Sequence, residues 1–501
     1  MKLDRLCAMA DIDCGACADV SVTGFAIDNR KVAPGTVFGA FQGSLSNGED
    51  YIPAAIDAGA VAVVARPQAR VDGAIHIASD NPRRSFARLA AKFFTPVPET
   101  IVAVTGTNGK TSTAEMTRQI WRMSGERAAS IGTLGVTTPD ESVSTGLTTP
   151  DIVTFLSNMS GLAREGVTHV AYEASSHGLS QSRNEGVPVQ AAAFTNFSRD
   201  HLDYHADMED YFAAKIRLFD EVVADDATAV VWMGSGDSGW NARVVEHAAA
   251  RGLTVFTVGE QGEDIRLTDR EASQLGQTLT VEHAGQTRKI TLPLIGAYQV
   301  SNALTAAGLA LATGTDASRV WDAVARLQPV RGRLERAVIA PSGAPVYIDY
   351  AHTADALEAA IAALRPHVSG RLITVFGAGG DRDHGKRGPM GEAAAKASDL
   401  VIVTDDNPRG ETAADIRAEV LAGAYAIKGK EAVREIGGRR DAIAAAIAEA
   451  GGADIVLIAG KGHEQGQIIG SGDDMRIHPF DDVEVARECA AQSVQPAGDG
   501  A

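Results

Sequence analysis

Thr105-Gly106-Thr107-Asn108-Gly109-Lys110-Thr111-Ser112 is the stretch that decides the fold. It follows Ile101-Val102-Ala103-Val104, a continuous apolar run of the kind a strand buried on both faces of a parallel sheet requires. After it, residues 111–123 read as a helix. A strand, a glycine turn and a helix N-terminus in that order aim several backbone N–H groups at one anion. Lys110 has the reach for the β and γ phosphates of a nucleotide, and the Thr111 hydroxyl suits Mg2+. Val104 stands where the usual pattern has a glycine. The competing reading is an ordinary tight turn with a surface lysine, and the intact strand–turn–helix context outweighs it.

Outward from this loop, candidate strands at 169–172, 191–194 and 229–232 keep the alternation of a doubly wound domain, which extends to about Pro329. Residues 265–294 alternate more like antiparallel strands and read as an insertion. The first hundred residues form a smaller α/β unit, with a helix over 52–58 and a strand over 61–65. Thr95-Pro96-Val97-Pro98 reads as a linker, because two prolines in four residues resist helix and sheet. From Arg331 a third pattern begins, with strands at 346–348, 372–376, 400–403 and 455–458. Each runs directly into polar or glycine-rich residues, and ligands in open α/β sheets sit at the carboxyl ends of strands. The expected domains are 1–98, 99–330 and 331–501.

The 501 residues carry 46 Lys plus Arg against 64 Asp plus Glu, a net charge of −18. That balance argues against nucleic acid or an anionic membrane as main partner, though not against small anionic substrates. No apolar run approaches the ~20 residues needed to span a bilayer. With no secretory signal visible, a cytoplasmic protein is the default expectation. Of four cysteines, Cys14 and Cys17 form a C-x-x-C that lacks a second copy or a thioredoxin-like context, so a structural role is the stronger reading. A disulfide framework is not expected in such a chain.

Two later segments carry chemistry. Glu173 directly follows a strand, where a carboxylate would face the phosphate site. Asp200, His201, Asp203 and His205 crowd six residues, a density compatible with a magnesium or manganese site. The combination of TGTNGKTS (105–112), EASSHGL (173–179), TNFSRDHLDYH (195–205) and Ala213-Ala214-Lys215 resembles the Mur ligase family. These are ATP-dependent amide-forming enzymes of peptidoglycan precursor synthesis, and the resemblance runs across nearly the whole chain.

The resemblance implies an α/β fold of three domains: a central P-loop ATPase domain, a small UDP-sugar-binding N-terminal domain and a Rossmann-like C-terminal domain. It implies ATP at Gly106, Thr107, Asn108, Gly109, Lys110 and Thr111, with Asn302, Asp349 and His352 on the adenosine side. It implies two Mg2+ ions at Thr111, Glu173, His201 and a carbamylated Lys215. On sequence alone Lys215 reads as a solvated helix lysine. Lys110, Glu173, His201 and Lys215 are the implied catalytic groups. The nucleotide-sugar peptide falls to Asn29, Ser44, Leu45, Ser46, Thr148, Thr149, Ser175, Gln181 and Arg183. Asn29 stands where the family more often has Ser. A monomer whose domains close around small-molecule substrates is expected.

Asp406-Asn407-Pro408-Arg409 matches the family motif of ligases that add meso-2,6-diaminopimelate to the D-Glu γ-carboxylate of UDP-N-acetylmuramoyl-L-Ala-D-Glu. The physical reason is sound: the distal end of diaminopimelate carries a carboxylate and an ammonium, whereas lysine has only the ammonium. A guanidinium takes a carboxylate bidentately, so Arg409 and Arg382 suit one group. Asp406 and Glu464 suit the other, with Asn407, Pro408 and Gly460 around them. A lysine-adding ligase, a folate polyglutamylating ligase and a non-catalytic ATP-binding module remain the alternatives. Gly377-Ala378-Gly379-Gly380 resembles a dinucleotide loop, but too many polar residues follow before the next helix.

Overall fold

The computed structural model describes residues 1–15, 19–43, 46–138, 140–143, 148–202, 204–236, 239–273, 275–381 and 384–492. Two compact units separate. One is Met1–Leu267 with Glu282–Gly285 and Ser301–Ala323; the other is Thr268–Val281 with Gln286–Val300 and the chain from Val324 onward.

The first unit holds two sheets. The smaller is parallel throughout, in the order Gly24–Ala26, Thr36–Gly39, Ala60–Ala65, Ile75–Ala78. In the larger, Thr100–Thr105 lies between His169–Glu173 and Val189–Phe194, parallel to both. Ala128–Gly132 extends it on the His169 side, and Val223–Trp232 and Thr254–Gly259 on the other. The chain thus builds outward in both directions from Thr100–Thr105, and the crevice at its carboxyl end is where such sheets bind ligands. Ile101, Val102, Ala103 and Val104 are fully buried, as their unbroken apolar run requires. The following helix is Lys110–Met123, one residue earlier than expected. Val223–Trp232 starts well before the apolar run at 229, because the exposed Asp225 and Asp226 hide its beginning from an apolar pattern.

The second unit is built on a six-stranded sheet in the order Glu335–Ile339, Pro345–Asp349, Ile455–Ala459, Leu372–Phe376, Leu400–Val403, Val433–Glu435. Only the first pair is antiparallel. Its four central strands match the four apolar runs and end on Asp349, Ala459, Phe376 and Val403, so the motifs that follow them gather on one edge. The 265–294 segment forms the neighbouring strands Ile265–Ser273, Gly276–His283 and Gln286–Leu292. Gly377–Gly380 leads into a 3-10 turn, His384–Lys386, before the helix Arg387–Ala397, so it is no dinucleotide fingerprint.

One expectation fails here. Cys14 is disulfide-bonded. Cys7 and Cys489 are free and buried. Among the described residues no helix is long and apolar enough to cross a membrane.

Candidate active site

The phosphate loop is shaped by glycines and clamped from a neighbouring strand end. Gly106 and Gly109 have φ of +137° and +85°, a backbone that L side chains rarely adopt. A Cβ on Gly106 would come within 2.0 Å of Thr195 Oγ1, and one on Gly109 within 2.3 Å of Asn302 Oδ1. Thr195 Oγ1 donates to Asn108 O at 2.6 Å, and Asn196 Oδ1 accepts the Asn108 N–H at 2.9 Å. Thr195 and Asn196 therefore brace the loop, a role the sequence concealed inside a motif read for its histidines. Lys110 Nζ donates to Thr107 O at 2.7 Å and Gly106 O at 3.1 Å, so its ammonium folds back over the loop. Asn302, assigned to the adenosine side from the sequence, lies against the loop, and its Oδ1 accepts from Thr113 Oγ1 at 3.5 Å.

Glu173 ends its strand 2% exposed. Its Oε2 accepts from Thr111 Oγ1 at 3.0 Å, and its Oε1 from the Thr133 N–H at 2.7 Å. A Cβ on Gly132 would stand 2.0 Å from Oε1, so a bare backbone is needed there. A buried carboxylate beside a hydroxyl is a hard oxygen donor set that suits Mg2+, which takes one or two carboxylates and completes its shell with substrate phosphates and water.

Lys215 contradicts the solvated reading. It lies 1% exposed on the helix Met208–Arg217, donates to Gly106 O at 2.7 Å and sits 4.4 Å above the Tyr211 ring. Tyr211 is one turn earlier on the same face, and Tyr211 Oη donates to Thr107 Oγ1 at 3.3 Å. Burial pushes the Lys215 pKa well below its ordinary value, with Lys110 pushing the same way and Asp200 opposing.

The dense His/Asp segment does not converge as a metal cluster. Among the described residues no three His, Cys, Asp or Glu side chains gather to hold an ion. The loop geometry splits them: Asp200 and His201 are exposed and paired at 3.5 Å, while His205 turns inward, its Nδ1 3.2 Å from Asp210. Asp203 lies outside the described residues. His177 lies over Tyr204 at 3.9 Å and meets His201 edge-on at 5.0 Å, an aromatic cluster that no linear motif announced.

Thr149, Ser175, Gln181 and Arg183, assigned to the peptide from the sequence, lie within hydrogen-bond reach of one another. Thr149 Oγ1 lies 2.9 Å from Ser175 Oγ, and Thr148 Oγ1 is 3.0 Å from Thr133 Oγ1. Arg183 donates to Thr149 O at 3.0 Å and to Gln181 Oε1 at 2.7 Å. Asn29, half-buried, opens a 3-10 turn capped by Asp28 whose other residues are exposed, and Ser46 is exposed. Ser44, Leu45 and Arg382 lie outside the described residues. Arg83, not anticipated, lies 4.9 Å over Phe41 and donates to Gln42 O at 3.0 Å.

In the second unit Asp349 is buried, and burial raises its pKa. It accepts the Leu334 and Ala351 N–H groups at 2.8 and 2.9 Å, so it shapes its own loop. His352 Nδ1 lies 2.8 Å from Tyr350 O. Arg409 Nη1 donates to Gly380 O at 2.8 Å, and the guanidinium has no carboxylate partner among the described residues. Asp406 Oδ1 accepts the Asn407 N–H at 2.7 Å, whereas its Oδ2 is buried without any hydrogen bond. A Cβ on Gly460 (φ +116°) would lie 2.7 Å from that oxygen. Glu464 Oε2 accepts from Asn407 Nδ2 at 2.9 Å. Pro408 is buried between these motif residues.

Three segments match Mur ligase profiles: residues 21–98 the family's catalytic domain, 104–310 its middle domain and 332–462 its glutamate ligase domain. A UDP-N-acetylmuramoyl-L-alanyl-D-glutamate–2,6-diaminopimelate ligase from Zymomonas mobilis is 59% identical over 470 residues, 94% of this chain and 95% of the relative. The chain belongs to the Mur ligase family. The ligase of the same description from Bradyrhizobium diazoefficiens is 50% identical, covering 96% of this chain and 97% of the relative. A solved structure of a ligase of that description superposes with a TM-score of 0.71 at 32% identity, over 95% of this chain and 96% of the other.

Proposed function

We propose that this Mur ligase joins meso-2,6-diaminopimelate to the D-Glu γ-carboxylate of UDP-N-acetylmuramoyl-L-Ala-D-Glu, using ATP. The observation that carries the reading is the set of unmatched groups after strand Leu400–Val403. Arg409 has no acid among the described residues, and Asp406 Oδ2 has no donor. A ligand end with one carboxylate and one ammonium would satisfy both.

The chemistry takes two steps. The γ-phosphoryl group of ATP passes to the D-Glu γ-carboxylate, giving an acyl phosphate and ADP. The neutral amine of diaminopimelate then attacks the acyl carbon, the C–O bond to phosphate breaks, and the amine loses a proton. In the first step Lys110 swings from the loop carbonyls to the transferring phosphoryl oxygens, and the loop N–H groups hold the remaining charge. Thr148, Thr149, Ser175, Gln181 and Arg183 orient the peptide; Asn29, Ser44, Leu45 and Ser46 hold the uridine nucleotide. Asn302, Asp349 and His352 serve the adenosine side.

Thr111 and Glu173 fit Mg2+, with His201 at the second of two ions; the ions would offset charge on the phosphates. Lys215 would act as a carbamate. A lysine meets CO2 only as a neutral amine, and burial supplies that state. We place the domain boundaries at 98 and 330 and take the enzyme as a cytoplasmic monomer. The test is phosphate release with ATP, the UDP-muramoyl dipeptide and either diaminopimelate or lysine. Diaminopimelate is expected to win; lysine outcompeting it would overturn the reading.

A further inference from the structure

Lys461 belongs to no role assigned so far, and its setting is unusual. It follows the strand Ile455–Ala459 in Gly460-Lys461-Gly462-His463-Glu464, a composition that reads as a solvated loop. Yet it is 0% exposed. Burying an ammonium is costly unless hydrogen bonds and charge compensate. Lys461 Nζ donates to Asn407 Oδ1 at 2.8 Å and lies 3.3 Å from Glu464 Oε2. Asn407 closes the triangle. Its Nδ2 donates to the same Glu464 oxygen at 2.9 Å, and its Oδ1 also accepts the Ile468 N–H at 2.9 Å.

Two consequences follow. Glu464 Oε2 takes two donors, so the carboxylate is held in one orientation. The side chain is 34% exposed, and without the brace it would be a mobile acid at a strand end. The second consequence is electrostatic. Arg439, 4.0 Å from Asp406, is already paired with Asp482 at 2.6 Å with both side chains fully buried, so it leaves the Asp406 charge uncancelled. That leaves Asp406 and Glu464 as two negative charges, and Lys461 and Arg409 as two positive ones. Those four balance one another, and Arg382, assigned to the same subsite from the sequence, lies outside the described residues.

We propose that Lys461 is a positioning and specificity-determining residue of the amino-acid subsite: it fixes Glu464 and Asn407 and offsets one of the subsite's negative charges, favouring a zwitterionic ligand end over a purely cationic one. This rests on the diaminopimelate reading above. Removing the ammonium would make the subsite more negative by one charge, which suits the lone ammonium of lysine.

The test is steady-state kinetics on Lys461→Met, with thermal melting as a fold check. The expected result is a KM for diaminopimelate raised by about tenfold or more, the loss of one charge-assisted hydrogen bond. The KM values for ATP and the UDP-muramoyl dipeptide should stay within about threefold, and the preference for diaminopimelate over lysine should fall by about tenfold. If all three KM values move together, or if the preference is unchanged, the proposal is overturned and Lys461 is only a packing element. Should Lys461→Met fail to fold, Lys461→Met/Glu464→Gln removes both charges of the pair and keeps the net charge of the subsite as in the parent. The proposal then expects a raised KM with the preference within about threefold of the parent, and a lost preference refutes it. A parent enzyme that uses lysine as readily as diaminopimelate refutes the underlying reading instead, before any variant is made.

Discussion

The phosphate loop and the diaminopimelate motif treat their charges in opposite ways. At the phosphate loop each charge already has a partner inside the protein. The Lys110 ammonium rests on two carbonyls, and Glu173 takes donors on both oxygens. At the motif, among the described residues, Arg409 has no acid, and Asp406 Oδ2 accepts no hydrogen bond, with Arg439 4.0 Å away. On the proposed function, the first site exchanges internal hydrogen bonds for substrate ones, while the second is laid out in advance for a group of fixed charge pattern. Chemistry that moves charge needs groups able to change partners; discrimination needs groups left unmatched until the right ligand arrives.

This contrast can be broken in three places. The largest effect is expected at Lys110→Met. Turnover should fall by about a thousandfold while the melting temperature holds, because the lost bonds are to loop carbonyls at the edge of solvent. A large loss of stability would show that Lys110 is structural.

Next is the support beneath the motif. Asp482→Asn strands the buried Arg439 charge and should cost about 3 kcal/mol in a urea melt. A change below about 0.5 kcal/mol would mean that the pair is not the foundation of this region.

The smallest effect concerns Lys215 and pH. Its folded pKa is lowered by burial, so between that value and the unfolded value of about 10.4 the unfolded chain binds the extra proton. Stability linked to this lysine therefore rises with pH. In CO2-free buffer Lys215→Met should melt above the parent at pH 7, with the gap narrowing toward pH 9.5. Added bicarbonate should restore parent activity more readily at pH 8.5 than at pH 6.5. A gap that stays constant with pH contradicts the buried-amine account.

The legibility of the two regions differs as well. Thr100–Thr105 and the four central strands of the second unit are plain in the sequence because both faces are buried, so the apolar run is unbroken. Lys215 was half legible. Tyr211, one turn earlier, marks its face as buried, but a lysine in an Ala-Ala-Lys helix is ordinarily solvated. Lys461 was not legible at all, since its partner Asn407 is 54 residues away and only the sheet brings them together. Thr195 and Asn196 were masked by the histidines beside them. The separation of Asp200 and His201 from His205 follows from a turn that composition does not encode.

The most direct test of the central claim is the ratio of kcat/KM for diaminopimelate to that for lysine, measured for the parent and for Arg409→Met. The account predicts a loss of about 30- to 1000-fold with diaminopimelate and little change with lysine, because only the former presents a distal carboxylate. Equal losses for both amino acids, or none for either, would contradict it.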